Sequence, residues 1–237
     1  MKRDALHEHF FNAAISGDRV TARQMIDQVL DTECSAEDIL TQLVWPTVQR
    51  VEKLHRGDQI SRLAHNYATR LLRSLCEQMQ LRLPQHPRNG RRVLLSCGNE
   101  QAEELSAQIS ADLLESYGFE LFFCGGGIPN DELVEQIGIL QPNVLVIFGA
   151  IPATVPDTRV LIDRLHDINV CPHVQIVVGG GVFNRANGLA EEIGADLWAT
   201  DPQDLVKVIV EQPQRRMTPD QRTVGRKRRN PTRRDAA

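Results

Sequence analysis

From residue 4 to residue 82 the apolar positions recur every three or four places and never alternate. That period belongs to amphipathic helices. A first run carries Leu6, Phe10, Ala13 and Ala14 and stops near Ser16-Gly17. Asp18 suits the start of a second, whose apolar face is Ala22, Met25, Ile26, Val29 and Leu30. Ser35, with Asp38 three places on, has the form of a capping box opening a third over Ile39, Leu40, Leu43, Val44, Val48, Val51 and Leu54. A bend is expected at Trp45-Pro46, because proline has no backbone N–H to donate. Gly57 closes this run and Asp58 is expected to cap a fourth, with Ile60, Leu63, Ala64, Tyr67, Leu71, Leu72, Leu75 and Met79 turned inward. Four such helices joined by short loops predict a four-helix bundle.

The stretch PQHPRNG, residues 84 to 90, has two prolines, a glycine and no apolar anchor, which marks a linker. Beyond it the period changes. Short apolar runs (VLLSC from 93, FELFFC from 119, NVLVIFGA from 143, VQIVVGG from 174, DLWAT from 196) alternate with amphipathic helical segments. This predicts an α/β fold with a doubly wound, parallel, five-stranded sheet of flavodoxin or Rossmann type, whose ligands sit at the carboxyl ends of the strands. The expected organisation is a helical bundle over 1–83, a linker over 84–91, an α/β domain over 92–211 and a basic tail over 212–237.

Charge separates the tail from the rest. The net charge is -4, but from Glu211 onward nine Lys/Arg face three Asp/Glu, leaving a body with 18 basic and 28 acidic residues. The tail has almost no large apolar residue and is expected to be disordered. Its GRKRRNPTRR run suits an acidic protein or the phosphates of a nucleic acid, without aromatic residues to stack on bases. The chain shows neither a long uncharged apolar run nor the pattern of a signal peptide, so the expectation is a cytoplasmic protein without membrane contact. Five scattered cysteines with no C-x-x-C pair imply reduced thiols rather than a disulfide framework or a zinc site.

Three glycine-bearing segments fall at strand ends: Cys97-Gly98, Gly125-Gly126-Gly127 and Gly179-Gly180-Gly181. A dinucleotide needs a glycine-rich turn after the first strand, and here that turn, GNEQAEELS, carries Glu100, Glu103 and Glu104. Carboxylates there repel a pyrophosphate. Glu103 and Glu104 are expected to form a solvated first helical turn near the positive end of the macrodipole. Neither a catalytic triad nor a nucleophile elbow stands out, so the chain is not expected to be an enzyme.

The order of parts resembles the cobalamin-binding module of methionine synthase, of corrinoid proteins serving methyltransferases, and of cobalamin-dependent light sensors. The motifs that carry the resemblance in the bundle are F-x-x-A-x-x-x-G-D from Phe10, S-x-E-D-I-L from Ser35, Trp45-Pro46 and LHRGDQISRLAHN from Leu54. In the sheet domain they are ADLLESYGFEL from Ala111, CGGGIPNDELVE from Cys124, VVGGG from Val177 and GADLWATDP from Gly194. The resemblance implies a corrin ring between bundle and strand ends, a nucleotide tail threaded into the sheet domain, and a cobalt-ligating histidine in a D/E-x-H-x-x-G loop. Counting back from Gly118 puts Gln101, Glu103 and Ser106 on that loop's three positions, so none of its residue types is kept. Phe148 and Ala150 fall where the family carries serine and leucine, while Gly179 and Gly180 keep the glycine floor beneath the tail.

In the bundle, Leu54-His55 and Ala64-His65 stand where light-sensing members carry Trp-His and Glu-His. By that resemblance His55 is the candidate upper-face cobalt ligand, and His65 a corrin contact or a hydrogen-bonded rim residue. The function implied is a cobalamin-binding sensor or carrier without the usual lower-face histidine. Alternatives are another tetrapyrrole, haem or bilin, in the same cleft, a ligand-free interaction scaffold that could form oligomers, or a methyl carrier in a methyltransferase system.

Overall fold

The computed structural model describes residues 3–32, 34–149 and 151–217. Helices α1 (Arg3–Ser16) and α2 (Arg19–Leu30) open the chain, and Asp18 caps the second by accepting from Thr21 N at 3.0 Å. The third arm is one rod in three parts: α3 (Ala36–Asp38), a π-helical stretch (Ile39–Val44) and α4 (Trp45–Arg56). Ser35 and Asp38 cap each other, with Asp38 N donating to Ser35 Oγ at 3.0 Å. The bend expected at Trp45-Pro46 takes the form of the π stretch before it. Pro46 cannot donate to the preceding turn, and a wider turn absorbs the missing bond. The cap of α5 (Arg62–Gln80) is Ser61, whose Oγ accepts from Ala64 N at 3.1 Å, rather than Asp58. Asp58 instead takes a left-handed φ of 53° in the turn that follows Gly57.

The second half runs β1 (Arg92–Cys97), α6 (Gln101–Ser116), β2 (Glu120–Gly126), α7 (Asn130–Leu140), β3 (Val144–Phe148), a 3-10 turn (Pro152–Thr154) and α8 (Val155–Ile168). It continues through β4 (Gln175–Gly179), α9 (Gly181–Arg185), α10 (Leu189–Ile193), β5 (Leu197–Ala199) and α11 (Pro202–Glu211). The strands are all parallel, in the order β2-β1-β3-β4-β5. That order reverses between β1 and β3, the place where sheets of this type leave a crevice for ligands.

Two apolar layers sandwich the sheet. On one face Leu94, Leu145, Ile147, Ile176 and Val178 pack under α7 and α8. On the other, Val93, Leu95, Val146 and Phe148 join Leu105 and Leu113 of α6, Leu205 and Ile209 of α11, and the bundle residues Phe10, Met25, Leu40, Trp45, Leu71 and Leu75 in one continuous core. Helix α6 is therefore buried from both sides, which explains its run of small and apolar residues.

The linker is held in place by backbone bonds. His86 N donates to Ser116 O at 2.9 Å, Asn89 N to Gly118 O at 3.0 Å, and the Arg88 guanidinium to Phe119 O at 2.9 Å. Gly118 is required here. Its φ is +84°, and a Cβ would lie 2.2 Å from Pro87 O. At the other end, Gln175 Nε2 donates to the carbonyls of Gln212 and Arg215 at 2.7 and 3.0 Å, and Met217 N to Asp196 Oδ1 at 2.7 Å. Residues 218–237, the rest of the expected basic tail, lie outside the described residues.

Candidate functional site

A cleft opens between α4 and the carboxyl ends of β3 and β4. Trp45, Val48, Gln49, Glu52, Lys53 and Arg56 form its bundle wall, a single stripe at i, i+3, i+4, i+7 spacing. Facing them are Ser106, Phe148, Gly181, Asn184 and Arg185, and the cavity between holds about 380 Å³. Its floor is buried and largely apolar, through Trp45, Val48 and Phe148. Its mouth is polar and exposed, through Gln49, Lys53, Arg56, Asn184 and Arg185.

The floor is set by one aromatic ring. Phe148 ends β3 and is 4% exposed, with its ring edge-on to Trp45 at 6.3 Å and 84°. That ring lies against the glycine floor: a Cβ on Gly179 would meet it at 3.6 Å, and one on Gly180 at 3.0 Å. Gly180 has φ +105°, and its Cβ would also lie 2.2 Å from Gly149 O, so the β3 and β4 loops touch backbone to backbone. The space above Gly179 and Gly180 is filled by carbon.

The β1 loop is closed as firmly. Glu103 is 1% exposed, which corrects the expectation of a solvated first turn. Its Oε2 accepts from Glu100 N and its Oε1 from Ile151 N, each at 3.3 Å, so one carboxylate ties the β1 loop to the β3 loop. It fits only because residue 98 is glycine, where a Cβ would sit 2.1 Å from Oε2. The two backbone N–H donors offset the cost of taking the carboxylate out of water. Glu104 does face outward, paired with Arg73 at 3.2 Å. Gln101 is exposed, Ser106 is buried in the cleft floor, and Ala150 lies outside the described residues.

The two bundle histidines meet each other. Their rings stack with centroids 4.1 Å apart, and His65 Nε2 lies 2.6 Å from Glu52 Oε1. The hydrogen bond to Glu52 is the main cause holding the His65 imidazole above its ordinary pKa, against desolvation. His55 Nδ1 is buried without a partner among the described residues. Neither ring lines the cleft, which they reach through Glu52. Leu54 packs beside Phe11, Val51 and Ala68 in a small satellite core.

A second cavity of about 370 Å³ lies across the switch point, lined by Cys97, Asn99, Ile128, Thr154 and Asp157 among others. Burial, reinforced by Glu104 and Glu103, pushes the Cys97 thiol up to about 12.

Sequence reading pointed to the strand-end loops and missed most of the cleft wall. On α4 the residues Gln49, Lys53 and Arg56 have the spacing of an ordinary solvated face, and only the docking of α9 turns that face into a wall. Asn184 and Arg185 lie three and four residues past the third glycine of VVGGG, a position that said nothing of their partner.

Residues 91–207 match the family model described as a B12 binding domain. Over 103 residues the chain is 25% identical to dimethylamine corrinoid protein 1 of Methanosarcina acetivorans and 27% identical to dimethylamine corrinoid protein 2 of Methanosarcina mazei. Each match takes in 44% of this chain and 47% of the relative, so the chain spans about half the length of the curated relatives it matches. The fold extends further. The monomethylamine corrinoid protein of Methanosarcina barkeri superposes with a TM-score of 0.76 at 17% identity, covering 88% of this chain and 98% of that one.

Proposed function

We propose, from the match of residues 91–207 to the B12 binding domain model, that this chain is a corrinoid carrier module whose ligand lies in the cleft between α4 and the strand ends. The observation that carries the reading is the stripe from Trp45 to Arg56, which faces the β3 and β4 loops across an apolar floor. A flat macrocycle fringed with amides suits that floor and rim. Trp45, Val48 and Phe148 would meet its face, while Gln49, Asn184 and Ser106 supply amide and hydroxyl groups for its edge. A bound corrinoid would supply a cobalt centre able to take up and give away a methyl group.

The chain's own residues decide what that centre is offered. At the position aligned with the family's histidine, Glu103 is engaged by two backbone N–H groups, so this loop presents no imidazole to a metal. His65 is held by Glu52, whose carboxylate borders the cleft, and His55 stacks behind it. In this reading the histidine pair shapes and charges the wall, and His55 is not used as the cobalt ligand. A methyl-carrier role is the finer form of the proposal. It calls for a partner that loads and unloads the cobalt.

The test is equilibrium binding of methylcobalamin to the full chain, followed by absorbance of the retained ligand and by quenching of Trp45 fluorescence in a Trp198→Phe background. Binding at micromolar concentration, lost in a Gln49→Trp variant that fills the cleft but keeps its melting temperature, is the expected result. Retention of haem in preference to cobalamin, or of neither, would sink the reading.

A further inference from the structure

The floor and the mouth of the cleft make different demands on a ligand. A corrinoid carrying a nucleotide has two parts to place, a macrocycle and a tail with a phosphodiester and an aromatic base. Along the glycine floor the space above Gly179 and Gly180 is taken by the Phe148 ring, packed edge-on against Trp45. The cavity of about 370 Å³ at the switch point is lined by Leu133 of α7 and Leu161 of α8, on the sheet face opposite α4. The neighbouring entry, between the β1 and β3 loops, is bridged by Glu103 through Glu100 N and Ile151 N. Opening either would cost a buried aromatic contact or two hydrogen bonds to a buried carboxylate. The residues present therefore fit the macrocycle and do not fit a threaded tail.

The mouth carries an excess of positive charge. Among the residues lining the cleft, Lys53, Arg56 and Arg185 are cationic and Glu52 is the one carboxylate, itself shared with His65 at 2.6 Å and Arg56 at 4.0 Å. Arg56 ends α4, and Arg185 ends α9 across the gap, so two separate elements bring cations to one opening. Like charges brought together cost free energy, and a buried floor beside them strengthens the cost. Arg185 registers it: partial burial, then the nearby Arg56, holds its pKa below the usual guanidinium value. An anion at the mouth relieves both terms.

We propose, on the corrinoid reading above, that the chain takes cobalamin with its nucleotide tail outside the sheet, the phosphodiester meeting Lys53, Arg56 and Arg185 at the cleft mouth. The closed slot leaves the tail outside, and the cationic mouth matches the one anionic group the tail bears. The tail's own base then stays on the cobalt, in agreement with a β1 loop that offers no imidazole to replace it.

The experiment compares methylcobalamin with methylcobinamide, which lacks the phosphodiester and the base, on the full chain. Methylcobalamin should bind roughly tenfold or more tightly, the worth of one charge-assisted hydrogen bond, and should keep the red absorbance of its base-on form. An Arg56→Gln, Arg185→Gln double variant should lose that preference, with the affinity for methylcobalamin falling further than the affinity for methylcobinamide. Both side chains are exposed, and the melting temperature of the double variant, measured beside the binding, should match that of the parent. Equal affinity for the two ligands, or a yellow base-off spectrum for bound methylcobalamin, overturns this inference and leaves the corrinoid reading standing. Failure to bind either ligand overturns both.

Discussion

Asp112 lies on α6, 3% exposed, with Oδ1 accepting from Gln108 Nε2 at 2.7 Å and Oδ2 without a partner among the described residues. Burial, opposed by the Gln108 bond and aided by Glu115 and Glu77, pushes its carboxyl up to about 7. The folded chain then holds a proton that the unfolded chain releases near the ordinary carboxylate range. Between those two values the unfolded state binds fewer protons, so stability falls as pH rises and stays low above about 7. His65 acts in the same direction: its raised pKa contributes stability present below the ordinary histidine range and lost as pH climbs through the raised value. Urea midpoints should therefore be lower at pH 8 than at pH 5. An Asp112→Asn variant should recover roughly 2 to 4 kcal/mol of stability at pH 8 and flatten the slope between pH 4 and 7, leaving the His65 part above it. A parent profile flat from pH 4 to 8 would refute the assignment.

The elements were largely legible, because a period of 3.6 or a short apolar run depends on local burial alone. All five strands fall on the apolar runs from VLLSC to DLWAT, and four helical arms stand where the bundle was expected. The connections were less legible. Asp58 looked like a cap by residue type, yet its left-handed φ removes it from that role and Ser61 takes it. Glu103 looked solvated by composition, and its burial depends on Gly98 and on the Ile151 N–H, which are close only once β1 and β3 are paired. Phe148 could be aligned to the tail slot from the sequence, but whether its ring entered or left that slot was decided by Trp45 from another part of the chain. The β4 loop offers the sharpest test of this packing. With φ +105° and a Cβ that would lie 2.2 Å from Gly149 O, Gly180→Ala should cost about 2 kcal/mol or more. Because the strain falls on the loop beneath Phe148, the variant should also weaken cobalamin binding. An unchanged melting temperature would show that the loop yields.

At the scale of the whole molecule, the linker between bundle and sheet has its backbone pinned to the α6–β2 turn. The larger core runs without a break from Phe10 and Leu75 through Leu105 to Val146 and Ile209. This continuity follows from α6, which carries apolar residues on the side toward the sheet and on the side toward the bundle, so neither part can leave without exposing the helix. The cleft depends on the same arrangement, since Trp45 and Arg56 belong to the bundle while Phe148 and Arg185 belong to the sheet. Folding of the two parts and assembly of the site should then be a single event. In urea, Trp45 fluorescence, read in a Trp198→Phe background, and far-ultraviolet circular dichroism are expected to trace coincident transitions with one midpoint, and methylcobalamin should move both curves together. Two resolved transitions, with only one shifted by the ligand, would mean that the bundle closes over a sheet domain that is already folded. The cleft would then form by docking of that bundle.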